Sequence, residues 1–199
     1  MKNKYSISEF ISTFYAYILT KVFYPEARLL RRPLYIRGRA GLQYGKGLTF
    51  GHACRLDLDP DKVTLRIGKN CQFGDYTHIV AHHEVVIGDN VLAASKIFIS
   101  DTEHGNYNEY NQSSPDVPPA QRRLFTNPVR IENNVWLGEN VCVLSGIKIG
   151  EGSIIGANSV VTKDIPKHVI AVGIPAKPIK KYNFEKKTWE KINTGSNQP

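Results

Sequence analysis

The stretch Val135–Pro166, "VWLGENVCVLSGIKIGEGSIIGANSVVTKDIP", decides the fold. Ile131 just ahead of it and Leu137, Val143, Ile149, Ile155 and Val161 within it stand six residues apart, often followed by Gly. An amphipathic helix repeats about every 3.6 residues and a half-buried strand about every 2, so neither yields a strict six. A short fixed period is the signature of a repeat architecture, and it has to be read before anything else.

The rhythm extends upstream. Ile67, Phe73 and Ile79 carry it, and after a slip of two residues at Val85-Val86 it resumes at Ile87, Ala93 and Ile99. A degenerate start at Phe50 continues through Leu56, so the pattern runs from about residue 50 to 166. A period of six suits a triangular coil: each unit gives a short strand and a corner, and coils stack at about 4.8 Å. The first residue of each unit then points inward, and the Gly beside it is expected to relieve a strained corner backbone. The fifth position also faces in and should be small or β-branched, as Cys54, Cys71, Val91, Val135, Val141, Ser153 and Ser159 are. Cys54 and Cys71 thus read as core residues, and Cys142, one place later, as a surface thiol.

Between Ile99 and Ile131 the rhythm stops, leaving an insert over residues 101–127 rich in Pro, Asn and Ser. Loops of this length in a compact domain are usually functional. At the N-terminus, Ile7, Phe10, Ile11, Phe14, Ile18 and Val22 recur at helical spacing, predicting a helix over 5–30. It would cap the coil, or lie on a membrane surface, because Arg28, Arg31, Arg32, Arg37 and Arg39 follow it. The Phe10–Tyr24 segment is too short to span a bilayer and has no small-residue cleavage site after it. After Pro178, "YNFEKKTWEKI" reads as a short basic helix and "NTGSNQP" as a disordered tail. The expected division is a helical segment 1–35, a coil domain 36–181, and a helix and tail 182–199.

Composition narrows the setting. With 199 residues the chain fits one domain, and its net charge of +8 favours an anionic partner. Three dispersed cysteines form no disulfide framework, which points to a reducing, cytoplasmic compartment. The basic residues sit at the termini without a nucleic-acid motif, so no nucleic-acid partner is expected.

The run "VWLGENV…SGIKIGEGSIIGANSVVTKDIPKHVIAVGIPAKPIKK" resembles the C-terminal signature of the hexapeptide-repeat acyltransferases. The resemblance covers residues 50–181 and implies an all-β fold, a left-handed parallel β-helix, assembled as a homotrimer with sites between subunits. "DTEHG" at Asp101–Gly105 is similar to the family's catalytic histidine segment, and with "RLLRRP" and the aromatic helix it resembles the subgroup that O-acetylates lipopolysaccharide and capsule sugars.

Acyl transfer from a thioester to a hydroxyl needs a base, and histidine titrates near the working pH. His104, at the root of the insert, is the candidate. Asp101, or alternatively Glu84 one coil below, would hold its other ring nitrogen. The resemblance implies that Trp136, Gly138, Glu139, Ala157, Thr162 and Lys163 line the acetyl-CoA groove, with Glu139 contributing a backbone group, and that Lys177 and Lys180 lie near the nucleotide phosphates. No metal is expected: His78, His82, His83 and His104 invite a zinc reading, but the later HxxxxH pair of the carbonic-anhydrase branch is missing. The sequence predicts direct acetyl transfer from acetyl-CoA to a sugar or glycan hydroxyl. An antibiotic acetyltransferase and a non-catalytic or carbonic-anhydrase-like β-helix are the alternatives.

Overall fold

The structure, a computed structural model, describes residues 6–108 and 110–192. Three sheets build the coil, and successive strands visit them in rotation, so each circuit adds one short strand to each; a fourth, two-stranded sheet lies in the insert. Neighbours in a sheet are one circuit apart and pair in parallel, as Leu92 and Ala93 do with Trp136 and Leu137. This is the parallel β-helix that the period of six predicts. Its faces are named below by an outward residue each: the Trp136 face, the His78 face and the Arg130 face.

The first residue of each unit points inward. Leu30, Phe50, Phe73, Ala93, Leu137, Ile155 and Ala171 stack in one column. Leu56, Ile79, Ile99, Val143 and Val161 form a second, and Ile67, Ile87, Ile131 and Ile149 a third. All are buried and merge into one core. Each large aliphatic side chain so removed from water contributes about 1.5–3 kcal/mol. Cys54 and Cys71 are buried at the fifth position with their thiols on the carbonyls of Gly74 and Gly88, and burial pushes the Cys54 thiol up to about 11. Cys142 points outward from the His78 face but is half-covered there.

The glycines serve a different purpose from the one expected. Gly138 has no positive φ; a Cβ added there would instead lie 2.6 Å from the Ala157 amide nitrogen of the next coil. Glycine at this place lets coils approach. Five of the left-handed corner residues are asparagines, Asn70, Asn90, Asn134, Asn140 and Asn158, with φ between 56° and 59°; Tyr76, Lys96, His168 and Gly152 take the same region at other corners. Asn tolerates that region, and its amide is used here to bond coil to coil: Asn70 to Asn90 and Asn90 to Asn134 at 3.2 Å, and Asn140 to Asn158 at 3.0 Å.

Both termini differ from the sequence expectation. The helix covers Ile7–Phe23 rather than reaching residue 30. A capping box of Ser6 and Glu9 starts it, and Pro25 disfavours helical torsions at Tyr24 and ends it. Leu29–Leu30 already pairs with Thr49–Phe50, so the coil begins before residue 36. The helix caps that first circuit: the Thr20 hydroxyl accepts from the Leu30 amide at 2.9 Å and donates to the Ala16 carbonyl at 2.7 Å. At the other end, the expected C-terminal helix is a β-hairpin. Ala176–Asn183 pairs with Val169–Gly173 and then with Thr188–Lys191, closing the Trp136 face. The Asn183 side-chain oxygen accepts from the amides of Glu185 and Lys186, each at 3.0 Å, which makes the turn. Tyr182 and Trp189 then meet across the hairpin with centroids 5.2 Å apart. The tail "NTGSNQP" lies outside the described residues.

Candidate active site

One corner of the triangle, between the His78 and Arg130 faces, absorbs every irregularity of the repeat. From Leu56 to Ile67 the step is 11 (6 + 5), from Ile79 to Ile87 it is 8 (6 + 2), and from Ile99 to Ile131 it is 32 (6 + 26). The long insert therefore leaves from a corner that is already widened in the two coils beneath it.

Asp101 anchors the insert there. Its carboxylate is fully buried and accepts from the amides of His82 (3.1 Å), His83 (2.7 Å) and Glu84 (2.8 Å), and from the Thr102 hydroxyl (2.6 Å). The two extra residues of the lower coil thus create a nest of amides that an anion fills. The backbone closes above it, with the Asn127 amide donating to the Asp101 carbonyl at 2.9 Å.

That arrangement corrects the expected pairing. Asp101 spends its carboxylate on backbone amides, and among the described residues makes no hydrogen bond to His104. Glu84 is also committed, receiving Arg130 at 2.6 Å and Arg66 at 3.7 Å. Both carboxylates hold the corner; neither orients the imidazole.

His104 itself is exposed on Thr102–His104, which pairs antiparallel with Leu124–Thr126. A clamp that sequence reading missed fixes its backbone. The Tyr107 hydroxyl donates to the His104 carbonyl at 2.6 Å, and the Arg122 guanidinium donates to that same hydroxyl at 2.6 Å and to the Val117 carbonyl at 2.8 Å. Gly105, at φ 117°, leaves room: a Cβ there would lie 2.8 Å from the Tyr107 oxygen. The glycine of "DTEHG" was the one available signal for this clamp.

The eight groove candidates fall into two groups. Trp136 is exposed in an outward column that runs from Leu92 through Trp136 and Ile154 to Ile170 and Lys180. A β-bulge between Ile170 and Ala171 inserts Ile179, so Lys177 opposite Val172 and Lys180 opposite Ile170 lie on the same side despite being three residues apart. Gly138, Glu139 and Ala157 form the adjoining corner. Glu139 uses more than its backbone: its carboxylate accepts from the Ser95 amide at 2.9 Å, and its carbonyl from the Asn158 amide at 2.8 Å. Each coil below caps this corner in the same way, through Asp75 and Ser95. Ala157 has no such side chain, so the ladder of caps ends at the groove corner.

Thr162 and Lys163 lie elsewhere. They follow Val160–Val161 on the His78 face and top the widened corner from which His104 projects. Two histidines of the metal reading are occupied otherwise: His78 Nε2 is 2.9 Å from Asp57, and His82 Nδ1 is 3.3 Å from the Thr102 hydroxyl. Among the described residues, no three His, Cys, Asp or Glu side chains gather around a metal-sized space.

A triangular parallel coil with a histidine-bearing insert at one corner and an exposed Trp136 column on the face beside another fits the acyl-CoA-dependent transferases built on hexapeptide repeats. Comparison with known proteins agrees. The bacterial transferase hexapeptide (six repeats) family matches residues 128–163. The putative lipopolysaccharide biosynthesis O-acetyl transferase WbbJ of Escherichia coli is 43% identical over 192 residues, covering 96% of this chain and 97% of that one. The chain belongs to the hexapeptide-repeat acyltransferase family. Galactoside O-acetyltransferase of Escherichia coli is 38% identical over 119 residues, 60% of this chain and 55% of that one. Among solved structures, the N-acyltransferase AntD of Bacillus cereus superposes with a TM-score of 0.69 over 94% of both chains at 20% identity, a likeness of fold. A galactoside acetyltransferase in complex with coenzyme A gives 0.51 at 27% identity, over 83% of this chain and 72% of that one.

Proposed function

We propose that the protein transfers an acetyl group from acetyl-CoA to a sugar hydroxyl, at a site that two subunits of a homotrimer complete. His104 removes the hydroxyl proton as the oxygen attacks the thioester carbonyl. The tetrahedral adduct then expels the coenzyme A thiolate, which takes the proton back from the imidazolium. No bond to the enzyme forms. The observation that carries this reading is the division of the candidates. Six line the Trp136 face and its corner, whereas Thr162, Lys163 and His104 share the next corner, with the whole His78 face between. A neighbour related by a threefold axis can bring one chain's base to another chain's groove. The likeness to WbbJ supports a glycan of the cell surface as acceptor.

Release of free coenzyme A across a panel of sugars tests the reaction. His104→Ala should lower turnover by about 10²–10⁴ while acetyl-CoA binding holds. Wild-type turnover in that variant would remove His104 from the role.

The finer location is also proposed: the cytoplasmic side, with the helix against a membrane surface. Among the described residues no helix is long and apolar enough to cross a membrane. Yet Ile7 (81% exposed), Phe10 (64%), Phe14 (56%) and Val22 (66%) present an apolar stripe to solvent. Lys21, Arg28 and Arg39 lie at its C-terminal end, suited to anionic headgroups. Vesicles containing phosphatidylglycerol should bind the protein and vesicles of phosphatidylcholine should not. Undiminished binding by Phe10→Glu/Phe14→Glu would refute the contact.

A further inference from the structure

The insert that carries His104 also encloses a cleft of about 580 Å³ lined by Asn106, Asn111, Ser113, Arg123, Leu124 and Phe125. That volume is in the range of small-molecule sites. Leu124 stands directly opposite His104 in the antiparallel ladder, and directly opposed residues share a face of the pair. The cleft therefore adjoins the strand pair that carries the candidate base, one cross-strand partner away from His104.

The polar groups of this cleft divide into spent and unspent. Asn106 donates from its side-chain nitrogen to the Tyr110 carbonyl at 2.8 Å, and its side-chain oxygen accepts from the Asn108 amide at 3.0 Å. Ser113 accepts from the Asn106 amide at 3.0 Å. Arg122, next door, is consumed by Val117, Tyr107 and Pro115. Arg123 differs from its neighbour: among the described residues it makes no side-chain hydrogen bond or ion pair, and it is the charged member of the lining. The Asn111 side chain is likewise unengaged among the described residues. Phe125, half-buried, offers a ring against which the C–H face of a sugar can lie.

We propose that this cleft is the acceptor subsite and that Arg123 selects a sugar bearing an oxyanion, either a phosphate or a carboxylate. The inference rests on the O-acetyltransfer reading and names its substrate class. A guanidinium pairs with either group through two parallel hydrogen bonds. A neutral sugar leaves Arg123 hydrated, so it is admitted but bound less well. Because Arg123 is exposed, the preference is modest and salt-sensitive.

The test uses glucose, galactose and N-acetylglucosamine as free sugars and 1-phosphates, together with glucuronate and galacturonate. Binding is measured with coenzyme A saturating, so that the cofactor's own phosphate site is filled. At least one anionic form should bind wild type about two- to fivefold more tightly than its neutral parent. Arg123→Ala should erase that difference, Arg123→Lys should keep part of it, and Lys177→Ala/Lys180→Ala should retain it in full. In turnover, Arg123→Ala should raise KM for the anionic acceptor by the same factor, leaving kcat and the acetyl-CoA KM unchanged. A preference confined to the 1-phosphates or to the uronates identifies which oxyanion is read. No anionic preference in wild type, or an equal loss for neutral and anionic sugars in Arg123→Ala, overturns the proposal. Arg123-dependent binding without acetylation of any sugar would leave the subsite standing and remove the transfer reaction.

Discussion

If one chain supplies the His104 corner and its neighbour the Trp136–Ala157 groove, two inactive chains should repair each other. The first variant is His104→Ala, which removes the base but leaves the groove. The second is Ala157→Trp, which leaves His104 but fills the groove. Ala157 is exposed and contacts the coil below through its backbone, so an indole there projects outward and the coil can stack as before. Each variant alone should be nearly inactive, the first by about 10²–10⁴. In trimers formed at random from equal amounts, a given site receives an intact His104 corner with chance one half. It receives an intact groove corner with the same chance, so about a quarter of sites are whole when subunits associate without bias. Differently tagged chains, coexpressed and purified through both tags, would be assayed for coenzyme A release at saturating acetyl-CoA. Purification through both tags removes the unmixed trimers, and every mixed trimer has one whole site in three, so turnover of about a third of wild type, with wild-type KM for acetyl-CoA, is the expected outcome. It stands well clear of the residual activity of either parent. Mixed trimers verified by native mass that recover nothing would place the whole site within one chain and refute the shared arrangement.

Two further outcomes follow from the same geometry. The bulge sets Lys177 and Lys180 on one side; if they hold the cofactor's phosphates as proposed, they form a joint, partly solvated anchor, each worth about 1 kcal/mol or less. Lys177→Ala/Lys180→Ala should therefore raise the acetyl-CoA KM several-fold with kcat nearly intact and should blunt the salt dependence of KM; an unchanged KM and salt response would put the phosphates elsewhere. Tyr107→Phe removes the hydroxyl that joins Arg122 to the His104 carbonyl, so kcat should fall by about tenfold as the base drifts, without change in the acetyl-CoA KM. A wild-type kcat in that variant would mean that the clamp does not position His104.

The core was legible because one residue in six had to be apolar: Ile131 through Val161 announce their columns without any knowledge of what lies above or below. The corners were not legible in the same way. Position two of the unit reads as a torsional glycine, but Gly138 is glycine because the Ala157 amide passes close by, a contact between residues 19 apart in sequence (157 − 138). The termini failed for a related reason. "YNFEKKTWEKI" has enough Lys and Glu to suit a helix, and nothing local reveals that Ala176–Asn183 finds an open sheet edge at Val169–Gly173. Tertiary pairing then overrides propensity.

The site divides along the same line. "DTEHG" marks His104 as the candidate base, yet the partner of Asp101 was misjudged, because a carboxylate three residues from a histidine suggests a side-chain pair. What captures Asp101 is the set of amides of His82, His83 and Glu84. Amide direction is set by the shape of a widened corner, not by which residues occupy it, and the only trace in the sequence is the slip of two at Val85-Val86. Chain proximity misleads in the groove as well. Ala157 and Thr162 are five residues apart (162 − 157), and that interval takes the chain across a full face of the triangle. Lys163 therefore lies at the His104 corner and Ala157 at the Trp136 corner. The short period that separates them within one chain also repeats each corner at the same place in every copy. A threefold assembly can thus rejoin what a single chain holds apart, which is why the unit of function to test is the pair of unlike corners and not the chain.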